Sequence, residues 1–366
     1  MKHLEEDGIT FSTSKTVFYN PAMRLCRSMS SLAVGAIAEK IEVVDAFCAS
    51  GIRGIRYMKE NKNVKKLTFI DIDRRAISLA KKNAKANKLG SKASAVVANI
   101  SRAAFDHDAD FLEIDPFGTP SPYLVDAFRY FNTKKTAYLS VTATDVAVLC
   151  GGKTAACMKN YHSKPLNNEF THETGLRIML KKIAETAAEF NMGITPLVSF
   201  SDKHYLKSVL MVRRSADLAY DSLKQLGHVS FCKKCGFRFE SRFPEQKCFH
   251  CGSDNDFAGP LWLGELHDGD FLKKMAALNK ARTYADRDEM AGMLVLMRGE
   301  LGMPPYFYDV HAMCKILQTC SVPRMDAVLK RLQDSGHRAV RTHFTPVGIK
   351  TDAPFSAISE AIGWKG

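Results

Sequence analysis

Between residues 41 and 145, short runs rich in β-branched and aromatic residues alternate with stretches of helical periodicity, and no other feature constrains the fold as strongly. Ile41–Phe47, Lys66–Asp71, Ser94–Ala98, Phe111–Asp115 and Thr136–Thr142 read as strands. Ile52–Glu60, Arg75–Asn87 and Pro122–Phe131 read as helices. Strands separated by roughly 10–15 residues of helix imply βαβ units and a parallel α/β sheet. A long helix over His172–Asn191 and strands over Ile194–Asp202 and Tyr205–Arg213 predict an antiparallel pair closing that sheet. Residues 214–228 read as a connecting helix. Residues 1–40 read as a lead-in with a helical pattern through Ala38. A chain of 366 residues exceeds one ordinary core, so two or three domains are expected, and the chain is divided at 1–228 and 229–366. The second holds a cysteine-rich stretch, 229–260, and a unit over 265–366 that is helical at first. There a proline opens a helix over Val322–Ser335, and His337–Phe344 and Val347–Thr351 read as two strands, a winged-helix-like order.

Parallel sheets bind ligands beyond the carboxyl ends of their strands, so the residues after each strand carry the chemistry. After the first strand, Asp45 leads into a loop of small residues with Ser50 and Gly51 and then into a helix. Glycine there lets backbone approach a ligand closely. The next strand ends at Asp71, about 20 residues beyond that glycine, where an acid typically bonds ribose hydroxyls. Neither Gly-x-Gly-x-x-Gly nor a Walker-type Gly-Lys-Ser is present. A nucleoside-containing cofactor therefore fits, with S-adenosylmethionine favoured over dinucleotides and nucleoside triphosphates. Asn99 and Ile100, past the third strand, are placed to flank an adenine ring, and read equally well as a plain loop.

The fourth strand ends in Asp115-Pro116-Phe117-Gly118. Proline lacks an N–H and fixes φ, so the strand must break there. An acid, a free carbonyl and a flat ring together suit the exocyclic amine of a nucleobase. That amine is a poor nucleophile because its lone pair is delocalised into the ring. A carboxylate accepting its N–H restores electron density and can later take the proton. Phe117 offers a face for base stacking, worth roughly 1–3 kcal/mol. Taken alone, the tetrad reads as well as a strand end before a Pro-rich turn. Near the N-terminus Phe18, Tyr19, Asn20, Pro21, Arg24 and Arg27 combine aromatics with cations, as a segment closing over cofactor and base or as a helix-entry loop.

Cys232-Lys-Lys-Cys235 and Cys248-Phe-His-Cys251 are separated by twelve residues. Two Cys-x-x-Cys pairs at this spacing predict a four-thiolate zinc site, closed and so structural. Lys233, Lys234, Arg238, Arg242 and Lys247 surround it, as phosphate contacts or as a solvated face, and Arg324, Lys330 and Arg331 carry the same two readings further on. The other six of the ten cysteines read as small core residues. A net charge of +13 favours a polyanionic partner, because each neutralised phosphate releases counterions. No run of 18 apolar residues occurs and Met1–Gly8 lacks the apolar core of a signal peptide, so the expectation is a cytoplasmic protein without membrane contact. No obligate protein partner is evident.

In order, Val17-Phe-Tyr-Asn-Pro-Ala-Met-Arg24, the Asp45–Arg56 segment, Asp71-Ile-Asp73, Asp115-Pro-Phe-Gly118, Val141-Thr-Ala-Thr-Asp-Val-Ala-Val-Leu-Cys-Gly151, His172-Glu-Thr-Gly-Leu-Arg177 and the four cysteines span nearly the whole chain. Jointly they resemble the tRNA (guanine-26, N(2))-dimethyltransferases of archaeal type. The resemblance implies a class I S-adenosylmethionine-dependent methyltransferase domain, Rossmann-like, with a smaller C-terminal α+β domain that binds tRNA. It implies transfer of one, then a second, methyl to the exocyclic amine of guanine 26 in tRNA. Asp115 would be the catalytic acid, with Phe18 and Phe117 on the two sides of the guanine. Arg27, Arg53, Asp71 and Asn99-Ile100 would hold the methyl donor, beside Asp45, Ser50 and Gly51 of the glycine loop. The family usually reads Asn-Arg-Asp where this chain has Cys26-Arg27-Ser28, so a local polar network is expected to differ. The tetrad alone also admits a methyltransferase of rRNA guanine or DNA adenine, and the fold admits a non-catalytic RNA-binding protein.

Overall fold

The computed structural model describes residues 2–363. The chain opens with an antiparallel hairpin, β1 (Lys2–Glu6) and β2 (Ile9–Thr13), that the lead-in reading does not contain. Helix α1 (Arg24–Ala36) follows. The alternating segment is β3 (Ile41–Ala46), α2 (Ile52–Glu60), β4 (Val64–Asp71), α3 (Arg74–Ala86), β5 (Ala93–Val97), α4 (Ile100–Ala103), β6 (Phe111–Ile114), α5 (Leu124–Arg129) and β7 (Thr136–Ala143). Pro120 and Pro122 delay α5 behind a 3-10 turn at Ser121–Tyr123, because neither can donate a helical hydrogen bond. Short α6 (Val146–Leu149) and α7 (Thr154–Tyr161) lead to α8 (Thr171–Ala188), then to the hairpin β8 (Met192–Asp202) and β9 (Tyr205–Arg214).

Seven strands form one sheet in the order β5-β4-β3-β6-β7-β9-β8. The first five are mutually parallel, and β9 joins β7 antiparallel, as expected. This mixed, mostly parallel sheet with helices on both faces is Rossmann-like. Its central strands are covered on both faces, which is why they read as nearly continuous apolar runs. Alternate residues of β3 enter different cores: Val44 and Ala46 pack with α5 and α8, Ile41 and Val43 with α1 and α2. Strand order reverses between β3 and β6. Such a switch point opens a crevice at the strands' carboxyl ends. The Ser50-Gly51 loop and the Asp115-Pro-Phe-Gly turn both begin there.

Helix α9 (Ala216–Lys224) leads to a second sheet of β10 (Leu226–Phe231), β11 (Arg238–Ser241) and β12 (Asp256–Trp262), ordered β11-β10-β12. Helices α10 (Gly269–Ala281) and α11 (Arg287–Gly299) follow and share the apolar cluster of α1 and α2, through Leu272, Met275, Met290 and Leu294. The last segment has its own small core. It comprises β13 (Tyr308–Asp309), α12 (Val310–Leu317), α13 (Met325–Asp334), β14 (Ala339–Arg341), β15 (Gly348–Thr351) and α14 (Phe355–Ile362). No helix among the described residues is long and apolar enough to cross a membrane.

Candidate functional site

The loop after β3 is bent by three consecutive-but-one residues at positive φ, Phe47, Ala49 and Gly51, at 70°, 47° and 77°. Two are not glycine, and left-handed backbone at such residues costs on the order of 1–2 kcal/mol each. The surroundings hold it. Asp71 at the end of β4 accepts from the backbone N–H of Ala49 at 3.0 Å and of Asp73 at 2.9 Å. The Asn83 amide donates to the Ser50 carbonyl at 2.8 Å. Asp45 is buried, and its carboxyl accepts from the Gly54 N–H at 3.0 Å instead of opening on the crevice. Burial, then the charge of Glu113, pushes that carboxyl up to about 7. A Cβ at Gly54 would stand 2.8 Å from Phe69, 2.9 Å from Leu67 and 3.0 Å from Asp45. Gly54→Ala is therefore expected to cost about 1–3 kcal/mol, seen as a lowered Tm in thermal unfolding.

Three apolar side chains are left open after β4, at the end of β5 and after α4. Ile72 is 74% exposed, and Val97 and Phe105 are exposed as well. Apolar groups left open beside a carboxylate suit a purine ring attached to a ribose. Ile72 was not singled out in the sequence, although its place between two acids at a strand end is a usable signal. The Asn99 side chain caps α4, accepting from the Arg102 N–H at 2.7 Å, and Ile100 turns into the core. The expectation that both flank an adenine ring thus meets a cap and a core residue.

Asp115, at the end of β6, is paired with Arg53 of α2. Arg53 also stands 3.7 Å from Glu113 and donates to Ser30 at 3.4 Å, and Cys26 lies 3.7 Å away. Burial alone would raise the Asp115 carboxyl, but Arg53 and then Lys207 outweigh it and hold it below the usual carboxylate range. The turn that follows is locked to β7, Gly118 N–H donating to Thr144 Oγ1 at 2.8 Å and Thr144 N–H to the Gly118 carbonyl at 3.0 Å. Phe117 is 76% exposed and Phe18 54%. Their rings meet edge to face, centroids 4.6 Å apart.

Arg27 projects from α1. Its guanidinium is buried against Glu6 of the hairpin at 2.8 Å and against the Asn20 carbonyl at 3.2 Å. Arg56 shares Glu6 at 2.7 Å and reaches Asp7 at 2.9 Å. Ser28 donates to Asp7 at 3.3 Å. The altered Cys26-Arg27-Ser28 segment therefore sits in a polar network supplied by the unexpected hairpin.

The four cysteines come together, with Cys232 and Cys251 sulfurs 3.5 Å apart, Cys235 and Cys248 sulfurs 3.7 Å apart, and all four within 4.8 Å. Bonds of about 2.3 Å to a tetrahedral zinc ion put sulfurs about 3.8 Å apart, so the set fits zinc. Gly236 and Gly252, at φ of 81° and 71°, make the turns after each pair. Arg238 corrects an expectation. It is not a surface cation but is 1% exposed. It bonds the carbonyls of Gly236 and Phe307 and pairs with Glu169 at 2.6 Å, tying the cysteine sheet to its neighbours.

A second cluster, His267, Glu300 and His343, is invisible in sequence because its members are far apart in the chain. Candidate ligand atoms of the three lie within 4.8 Å of one another. His267 Nδ1 accepts from the Ser199 N–H at 3.3 Å, so the neutral ring carries its proton on Nε2 and has no lone pair there for a cation. Burial pushes this imidazole down to about 3. His343 Nδ1 is 2.9 Å from Glu300, and the Thr342 hydroxyl donates to the same carboxylate at 2.9 Å. The cluster is a polar joint between β8, α11 and the C-terminal segment.

A family model described as N2,N2-dimethylguanosine tRNA methyltransferase matches residues 1–363. The tRNA (guanine(26)-N(2))-dimethyltransferase of Methanobrevibacter smithii is 36% identical over 385 residues, spanning 98% of this chain and 96% of that protein. The like-named protein of Thermococcus kodakarensis is 35% identical over 364 residues, 94% of this chain and 93% of its own. The structure of Trm1 from Pyrococcus horikoshii in complex with S-adenosyl-L-methionine aligns with a TM-score of 0.90 at 30% identity, over 99% of this chain and all of that one.

Proposed function

The chain belongs to the N2,N2-dimethylguanosine tRNA methyltransferase family, and on that premise we propose how its own residues move methyl groups to the exocyclic N2 amine of guanine 26 in tRNA. The donor, S-adenosylmethionine, supplies an electrophilic methyl on a sulfonium. Asp71 receives the donor's ribose, with Ile72 against the purine and Asn99 at its edge. Ser50 and Gly51 give the close backbone approach, and Asp45 shapes that loop from beneath. Arg53 is already engaged by Asp115 and Glu113, so any hold on the donor is shared with its hold on the acid. Arg27, tied to Glu6 and the Asn20 carbonyl, fixes the Phe18–Pro21 segment.

The acceptor base leaves its stack, as enzymes acting on a base require. Phe18 and Phe117 part to take the guanine between them. Asp115, with the Pro116 carbonyl, accepts the amine N–H bonds and turns the nitrogen toward the methyl. Positioning and desolvation do most of the work. The observation that carries this reading is an acid at the switch point, held charged beside the donor loop and below two exposed rings. Phe18→Ala and Phe117→Ala are each expected to lower kcat/KM roughly 10- to 100-fold, as loss of a base stack would. Circular dichroism should not change, since both rings are exposed.

Residues 229–260 form a zinc ribbon and 265–366 contain a winged-helix-like unit, together the tRNA-binding part. Lys234 and Arg242 of the ribbon face phosphate, joined by Lys233 and Lys247, which pair with Asp256 at 2.8 Å and Asp254 at 2.5 Å, and Arg324, Lys330 and Arg331 extend that surface. The activity is cytoplasmic in this reading. A transcript with inosine at position 26 lacks the 2-amino group, so methyl incorporation should vanish relative to guanosine. Equal incorporation would contradict the assignment of the acceptor.

A further inference from the structure

A buried lysine beneath Asp115 has no part in that mechanism. Lys207 on β9 is fully buried, its Nζ 2.5 Å from Glu113 Oε1 and 2.9 Å from Thr142 Oγ1. Glu113, equally buried, stands two residues before Asp115 on β6 and so shares its side of the sheet. Thr142 faces Lys207 across the β7–β9 ladder, and the β6–β7 register, which pairs Ile114 with Val141, sets Thr142 beside Asp115. A hydroxyl that accepts from an ammonium is free to donate its own proton to a neighbouring acceptor, and the Asp115 carboxylate is the one that the register sets beside it.

The charges balance. Lys207 and Arg53 oppose Glu113 and Asp115. Asp45, beside Glu113 on β3, is pushed up to about 7 by burial and then by the charge of Glu113, so near neutral pH it adds only part of a charge. Tyr57 of α2 donates to Glu113 at 2.7 Å, Cys26 of α1 lies against Arg53, and the Tyr205 hydroxyl of β9 is buried nearby. Asp202 of β8 stands beside Tyr205. Burying an ammonium and a carboxylate is costly, and an apolar pair of similar volume is often neutral or better for stability. The arrangement therefore calls for a role beyond packing.

We propose that Lys207 is a positioning residue for methyl transfer: anchored on Glu113, it orients the Thr142 hydroxyl, which in turn fixes the Asp115 carboxylate. This rests on the reading of Asp115 above. Two cations make Asp115 a weak base, so it acts first as the group that orients the amine. The N–C bond forms as the S–C bond breaks, and the proton leaves afterwards, through Asp115 to water.

The test uses the full-length chain, unmodified tRNA transcript and S-adenosylmethionine. Thr142→Val removes the relay and leaves the charges. It should lower kcat at least tenfold with KM for both substrates within twofold, and Thr142→Ser should restore kcat. Lys207→Met/Glu113→Gln removes both buried charges and guards against a misfolded single variant. It should lower kcat as far, again with KM for both substrates within twofold. If this double variant and Thr142→Val turn over like wild type, Lys207 only neutralises Glu113 and the proposal fails. Should the double variant not fold, the two Thr142 variants decide. A wild-type chain that transfers no methyl would overturn the functional reading itself, a result distinct from active but insensitive variants.

Discussion

Asp115→Ala is expected to abolish methyl transfer, by at least a thousandfold, while tRNA is still retained in a filter-binding assay. A positioned acid–base group contributes typically 10²–10⁴-fold, and here the same carboxylate also orients the amine. Binding should survive because Asp115 lies at the crevice floor and makes none of the phosphate contacts expected to dominate tRNA affinity. The substitution also leaves Arg53 without the nearer of its two carboxylates, so a modest loss of stability should accompany it. Asp115→Asn separates charge from shape: it keeps an acceptor oxygen and should retain more activity than Ala if orientation is the main role. Turnover like wild type in Asp115→Ala would remove Asp115 from the mechanism.

Removal of zinc should have the second large effect. Structural zinc contributes roughly 10–16 kcal/mol to small cysteine-ligated units, so its loss should unfold the segment it closes. Val229, Phe231 and Trp262 belong to the main core, so β10 and β12 have support that the turns at 232–255 lack. Chelation, or Cys248→Ser, is expected to open those turns to limited proteolysis and to weaken tRNA binding at least tenfold. S-adenosylmethionine affinity should stay within twofold, because the crevice lies in the seven-stranded sheet. Elemental mass spectrometry should find one zinc per chain, and a purified chain without zinc would contradict the assignment.

Local patterns made much of the fold legible. The βαβ strands, the helix at Ile52–Glu60 and the closing antiparallel pair follow from periodicity, because one strand or helix carries its own apolar pattern. The tetrad at Asp115 and the cysteine spacing were legible for a related reason, since their chemistry is written in adjacent residues. What escaped depends on pairs far apart in the chain. Glu6 meets Arg27 and Arg56, Arg53 meets Asp115, Lys207 meets Glu113, and Arg238 meets Glu169. A cation read alone looks like a surface charge, and only the partner's position shows that Arg238 is buried. Arg27 is the sharpest case, since its acid sits in a hairpin whose short strands carry little periodic signal.

The measurement that bears most directly on the central claim is a time course with unmodified tRNA and isotope-labelled S-adenosylmethionine, followed by nucleoside mass spectrometry and mapping of the modified position. The expected result is N2-methylguanosine that converts to N2,N2-dimethylguanosine, both at position 26. Label on another nucleoside, at another position only, or nowhere would contradict it.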